Sequence, residues 1–208
     1  MSSANATVVG IDVGGERKGF HAVALQDRTF VATLAHSDPA VIVRWCRQQN
    51  AAVVAVDAPC GWSDGGSSRL AERSLAVGAH KIHCFATPTR ARAKQSQFYA
   101  WVFNGERLYK QLFKHYALFN GARRAGPACF ETFPHAVVCA LAGRVVAARP
   151  KRETRRNALR QLGYDVSSLS NVDLVDAALC GVTAAAFARS RYRLFGEKSE
   201  GFIVVPVG

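Results

Sequence analysis

Acidic residues are what this chain has least of. Asp and Glu number 15 against 27 Lys and Arg, a formal net charge of +12 at pH 7 over 208 residues. An imbalance of that size speaks about partners rather than fold, and it favours polyanions, nucleic acid foremost. Long apolar runs are also missing. Ala177 to Ala188 comes nearest, but it is short and broken by Gly181 and Thr183, so no membrane span is expected. The opening Met-Ser-Ser-Ala-Asn-Ala carries no basic segment or apolar stretch, so no secretory signal is expected and the location expected is cytoplasmic. Six cysteines occur without a C-x-x-C pair, which excludes the usual zinc spacings and predicts free thiols in a reducing compartment. His80, His83 and Cys84 read as an ordinary loop. Internal repeats and low-complexity tracts are absent. What is present is apolar material, 49% of the chain, enough for one well-buried core.

The pattern along the chain predicts an α/β fold. Thr7–Val13 is apolar and β-branched and stops at Gly14-Gly15. Gly19–Gln26 and Thr29–Ala35 follow as a hairpin around a tight turn at Gln26-Asp27-Arg28. A helix begins at Asp38-Pro39 with Ser37 as the expected cap. Ala51–Val56 is continuously apolar, as suits a parallel strand covered on both faces. Residues 61–126 are long and basic, with a short helix near 68–77 and a longer one from Gln95 to about Phe119. They are expected to form an insertion packed on the sheet of a single domain spanning 1–208. Pro127–Phe133 reads as another inner strand. A basic helix over 153–162, a last helix over 172–189 and a strand over 201–207 complete the order. Three antiparallel strands feeding parallel strands flanked by helices form the ribonuclease H-like plan.

Against so few carboxylates, their positions carry weight. Asp12 and Asp57 each end an apolar strand, where an unpaired carboxylate is costly without compensation. A polar turn is one compensation and a metal ion is another. Asp173 and Asp176 share one face of the last helix at i, i+3. Asp173 suits the first helical turn on dipole grounds, whereas Asp176 lies among residues that look buried. If that helix crosses the strand ends, Asp12, Asp57 and Asp176 converge, and converging carboxylates call for hard divalent cations. Glu131 ends its own apolar strand; it either faces the same cleft or pairs with an arginine of the insertion. Arg69 and Arg73, together with Lys151 and Arg155 on the basic helix, are the expected contacts to substrate phosphates. Phe98, Tyr99 and Trp101 either stack on bases or, more ordinarily, pack in a helix core.

Taken in order, Gly10-Ile-Asp-Val-Gly14, Val56-Asp-Ala-Pro-Cys-Gly61, Arg69-x-x-Glu72-Arg73, Phe130-Glu-Thr-Phe-Pro134 and Asp173-x-x-Asp176-Ala177 resemble a family of ribonuclease H-like nucleases catalogued as a domain of unknown function (number 429). The resemblance runs from the first strand to the last helix. It implies a metal-dependent site at Asp12, Asp57 and Asp176, with Asp173 and Glu131 as further candidates. Residues and resemblance together predict a nuclease using Mg²⁺ or Mn²⁺, two ions in the usual arrangement, on DNA or RNA. Two other classes remain. A nucleic-acid-binding module with a vestigial acidic cleft needs only the basic surface. A phosphoryl-transfer enzyme of the actin-like ATPase or sugar kinase type would use Gly10-Ile-Asp-Val-Gly-Gly15 as a phosphate loop, but needs a second such domain. The oligomeric state stays open, a dimer included.

Overall fold

The structure, a computed structural model, describes residues 6–122 and 125–207. Its strands and helices run β1 (Val8–Val13), β2 (Phe20–Gln26), β3 (Thr29–His36), α1 (Pro39–Gln48), β4 (Val53–Asp57), α2 (Leu70–Ser74), β5 (Ala76–Val77), β6 (His80–Lys81), α3 (Arg90–Ala93), α4 (Ala100–Leu112), β7 (Ala117–Leu118), β8 (Ala128–Glu131), α5 (Pro134–Ala142), α6 (Lys151–Gln161), α7 (Val172–Ala188), β9 (Tyr192–Glu197) and β10 (Gly201–Pro206). The main sheet has the order β3-β2-β1-β4-β8-β10-β9, with β7 beside β8. β1, β2 and β3 are antiparallel, and β4 and β8 then continue parallel to β1, the ribonuclease H-like arrangement.

Local chemistry accounts for the element ends. Asp27 and Arg28 both take positive φ, +46° and +67°, which is what a two-residue hairpin turn matching the sheet twist requires. Asp38, rather than the expected Ser37, caps α1: its side chain accepts from the Ala40 amide, and Pro39 occupies the first helical position. Asn171 caps α7 through the Leu174 amide at 2.9 Å. The single helix expected from Gln95 to Phe119 is shorter, because a 3₁₀ turn at Gln97–Tyr99 precedes α4 and β7 follows it. β9 has mixed polar and half-buried residues typical of an edge strand, and its sequence carries no strong strand signal.

The two faces of the sheet sort by residue parity, as the pleat dictates. Val8, Val53, Ala55 and Phe130 face α5, α6 and α7. Val9, Ile11, Val54, Val56 and Cys129 face α1 and α4. A third cluster joins Ala71, Leu75 and Val77 of the basic segment to Ile203 and Val205 of β10. The segment 61–126 therefore shares apolar clusters with the sheet.

One contact sets the position of α7. A Cβ on Gly10 would stand 1.9 Å from the Ala177 carbonyl oxygen and 2.1 Å from the Gly181 nitrogen. Only the absence of a side chain lets helix backbone lie directly on β1 there. From Gly181 back to Asp176 the helix rises about 7.5 Å, and from Gly10 to Asp12 the strand advances about 6.7 Å. The glycine contact thereby brings Asp176 level with the end of β1.

Candidate metal centre

Asp12 and Asp57 are in register on adjacent parallel strands, so their side chains leave the same face of the sheet. That face is the one α7 covers. One carboxylate oxygen each from Asp12, Asp57 and Asp176 lie within 4.8 Å of one another. Asp12 and Asp176 are buried and Asp57 is half-buried at the mouth. Helix α4 steadies both strand ends from the other side. The Asn104 side-chain amide donates to the Gly14 carbonyl at 2.9 Å, and the Tyr109 hydroxyl donates to the Ala58 carbonyl at 3.2 Å. Gly105 leaves room for this approach, since a Cβ there would stand 2.7 Å from that of Ala58.

Such a cluster is electrostatically unfavourable by itself. Burial, then the charges of Asp176 and Asp173, push the Asp12 carboxyl from 3.8 up to about 7. The Asp57 carboxyl is pushed well above its ordinary value, first by burial and then by Asp12 and Asp176. Asp176 is compensated by α6, which packs on α7. Arg155 donates to its Oδ1, and Lys151 Nζ lies 2.8 Å from Oδ2, an ion pair without hydrogen-bond geometry. Two of three carboxylates thus lack a full countercharge while three oxygens face one small volume. Hard oxygen donors in this arrangement fit Mg²⁺ or Mn²⁺.

A second group adjoins the first. Oxygens of Asp12 and Asp173 and a ring nitrogen of His21 also lie within 4.8 Å of one another. His21 is opposite Asp12 in the antiparallel β1–β2 pairing, and its Nδ1 is buried without a hydrogen-bond partner. Burial holds this imidazole below its ordinary 6.5, which favours the neutral, ligating form. Asp173 is bound by Lys18 at 2.6 Å. Asp12 belongs to both groups. Sequence reasoning missed His21, whose only signal is its register opposite Asp12.

Glu131 is not brought to this cluster. It pairs with Val56, one residue short of the Asp57 row, and so leaves the opposite face of the sheet. There Arg69 grips it with both terminal nitrogens at 2.7 and 2.6 Å, and the Cys60 amide adds a third bond at 2.9 Å. Arg69 Nε in turn donates to Glu72 at 2.9 Å. Of the two readings of Glu131, the arginine pairing is the one observed. Arg69 is corrected with it: it is 1% exposed and its guanidinium is engaged by protein acceptors, so no face of it is free for a phosphate. Arg73 is exposed and donates to the Ser68 carbonyl. Arg155, expected on a phosphate track, is buried against Asp176, whereas the Lys151 side chain stays 48% exposed.

Over residues 10–200 the sequence matches the family described as Protein of unknown function (DUF429). Among curated proteins none matches significantly. Among solved structures, RuvC of Thermus thermophilus is matched at TM-score 0.48 and 16% identity, over 88% of this chain and 96% of that one.

Proposed function

This chain belongs to the family described as Protein of unknown function (DUF429), and from that premise we propose that it is a divalent-cation-dependent phosphodiesterase acting on nucleic acid. The observation that carries the reading is the convergence of Asp12, Asp57 and Asp176 within 4.8 Å, two of them held far above the ordinary carboxylate pKa. Asp12, Asp57 and Asp176 would hold one Mg²⁺ or Mn²⁺, and Asp12 with His21 and Asp173 a second. A divalent cation in such a site supplies Lewis-acid stabilisation of charge on a phosphoryl group.

The residues of the chain do the rest. Asp12, whose carboxyl is pushed up to about 7, would bind a cation as the carboxylate and give up its proton to do so. Lys18 keeps Asp173 oriented. Lys151, half exposed at the rim, is free to leave Asp176 and meet a phosphate oxygen, while Arg155 remains as its buried countercharge. Exposed Arg73, Arg92 and Lys94, with the net charge of +12, attract a polyanionic backbone toward the rim.

The test is a cleavage panel of single strands, duplexes, RNA–DNA hybrids and four-way junctions in Mg²⁺, Mn²⁺ or EDTA, with Asp57→Asn purified in parallel. Cleavage that needs metal and falls at least 100-fold in the variant is the expected result. Equal cleavage by parent and variant would overturn the proposal. One observation favours a second reading: Asp176 already has two cationic partners, as a non-catalytic binding module would tolerate. Metal-independent nucleic-acid binding without turnover would select it.

A further inference from the structure

Of the carboxylate cluster, Asp57 alone lines a pocket whose aromatic side chains the metal site does not use. Phe85, Trp101, Phe133 and Thr87 wall it together with the buried Arg69, Glu72 and Glu131 group, and its volume is about 50 Å³. The Phe85 ring stacks on Phe98 at 4.8 Å and 22°, and Trp101 meets Phe85 edge-on at 5.0 Å. Phe85 is 40% exposed and Phe98 60%. The expected use of Phe98 in a helix core is therefore not what the structure contains. Its ring lies outside, just ahead of α4, and two stacked rings left in water need a reason.

Charge indicates the occupant. Arg92 and Lys94, on and beside α3, are exposed and have no ion pair among the described residues. Arg90 is held by Glu106 at 2.9 and 3.0 Å. An exposed aromatic pair with unpaired cations a few residues away along the chain suits a ligand with planar rings on an anionic backbone. The Thr87 hydroxyl, buried without a hydrogen-bond partner in the pocket wall, adds an unmet polar group.

We propose that Phe85, Phe98 and Trp101 form a stacking platform for an unpaired nucleobase beside the pocket that Asp57 lines. This rests on the phosphodiesterase reading and narrows it. The substrate is single-stranded or locally unpaired nucleic acid, because bases stacked inside an intact duplex offer no free face to the platform.

The experiment measures anisotropy of a labelled 12-mer in EDTA, comparing a base-bearing strand, an abasic strand of equal length and a duplex. Parent, Phe98→Ala and Phe98→Tyr proteins are compared. The base-bearing strand should bind parent at least tenfold tighter than the abasic strand. Phe98→Ala should weaken that binding about five- to 150-fold, leave abasic binding unchanged, and be rescued by Phe98→Tyr. Equal binding of base-bearing and abasic strands overturns the platform. So does a Phe98→Ala protein that changes oligomeric state rather than strand affinity, since the rings would then be a self-association surface. The two readings fail separately. Metal-dependent cleavage without base discrimination removes the platform and leaves the phosphodiesterase. Phe98-dependent base binding without cleavage in any metal removes the phosphodiesterase and leaves the platform.

Discussion

Asp12 is held protonated by its surroundings, and that has a measurable sign. Well below pH 3.8 the carboxyl carries its proton in both folded and unfolded chains. Between 3.8 and about 7 the unfolded chain ionises while the folded one retains the proton. Unfolding then releases a proton, so this group's contribution to stability falls as pH rises through that window and stays low above it. Asp57 acts in the same direction. His21, held below 6.5, acts with the opposite sign, because an unfolded chain takes up its proton more readily. The useful comparison is therefore parent against Asp12→Asn at each pH. In the absence of divalent cations, Asp12→Asn should be more stable by about 0.5–2 kcal/mol at pH 7.5 and no more stable at pH 4. At this length each kcal/mol is about 2–4 °C in Tm. Mn²⁺ should raise the parent's Tm at pH 7.5 and leave the variant's nearly unchanged. Thermal melts at both pH values check all of this, and a variant less stable than parent at pH 7.5 would contradict it.

Elements set the site through a few close approaches. Gly10→Ala forces a methyl into the backbone of α7 at Ala177 and Gly181. It should cost at least about 1–3 kcal/mol in urea unfolding and, by lifting Asp176 from Asp12, weaken Mn²⁺ binding in the folded fraction. Ser74→Ala, on the exposed end of α2, should change neither. Arg69→Ala leaves Glu131 and Glu72 buried without their cation and should cost about 3–5 kcal/mol, although it lies on the opposite face of the sheet from the carboxylate cluster. Urea unfolding measures that loss. How legible these elements were depends on range. β1 and β4 announce themselves as apolar runs ended by Asp, and α7 by an acidic pair in an apolar helix. Glu131 looked equivalent, but a register offset of one residue, invisible within a single strand, sends it to the other face. His21 depends on which residue the hairpin sets opposite Asp12. The pairing of Lys151 and Arg155 with Asp176 depends on how α6 docks against α7. Phe98 lies among aromatic neighbours whose pattern reads as core, and only the placement of the 3₁₀ turn turns its ring outward.

At the scale of the whole molecule, a basic protein brings three of its 15 acidic side chains together where four elements meet. β1 and β4 bring Asp12 and Asp57, α7 brings Asp176, and α6 brings the cations that offset Asp176. The basic side chains behind the net charge of +12 also give the acidic cluster local countercharges, but they do not fully neutralise Asp12 or Asp57. The central claim is that this meeting point is a divalent-cation site. Titration of Mn²⁺ followed by electron paramagnetic resonance, on parent and Asp57→Asn at pH 7.5, tests it most directly. One to two ions should bind the parent, with at least tenfold weaker binding in Asp57→Asn. Equal Mn²⁺ affinity in the two proteins, or none in either, would contradict the account.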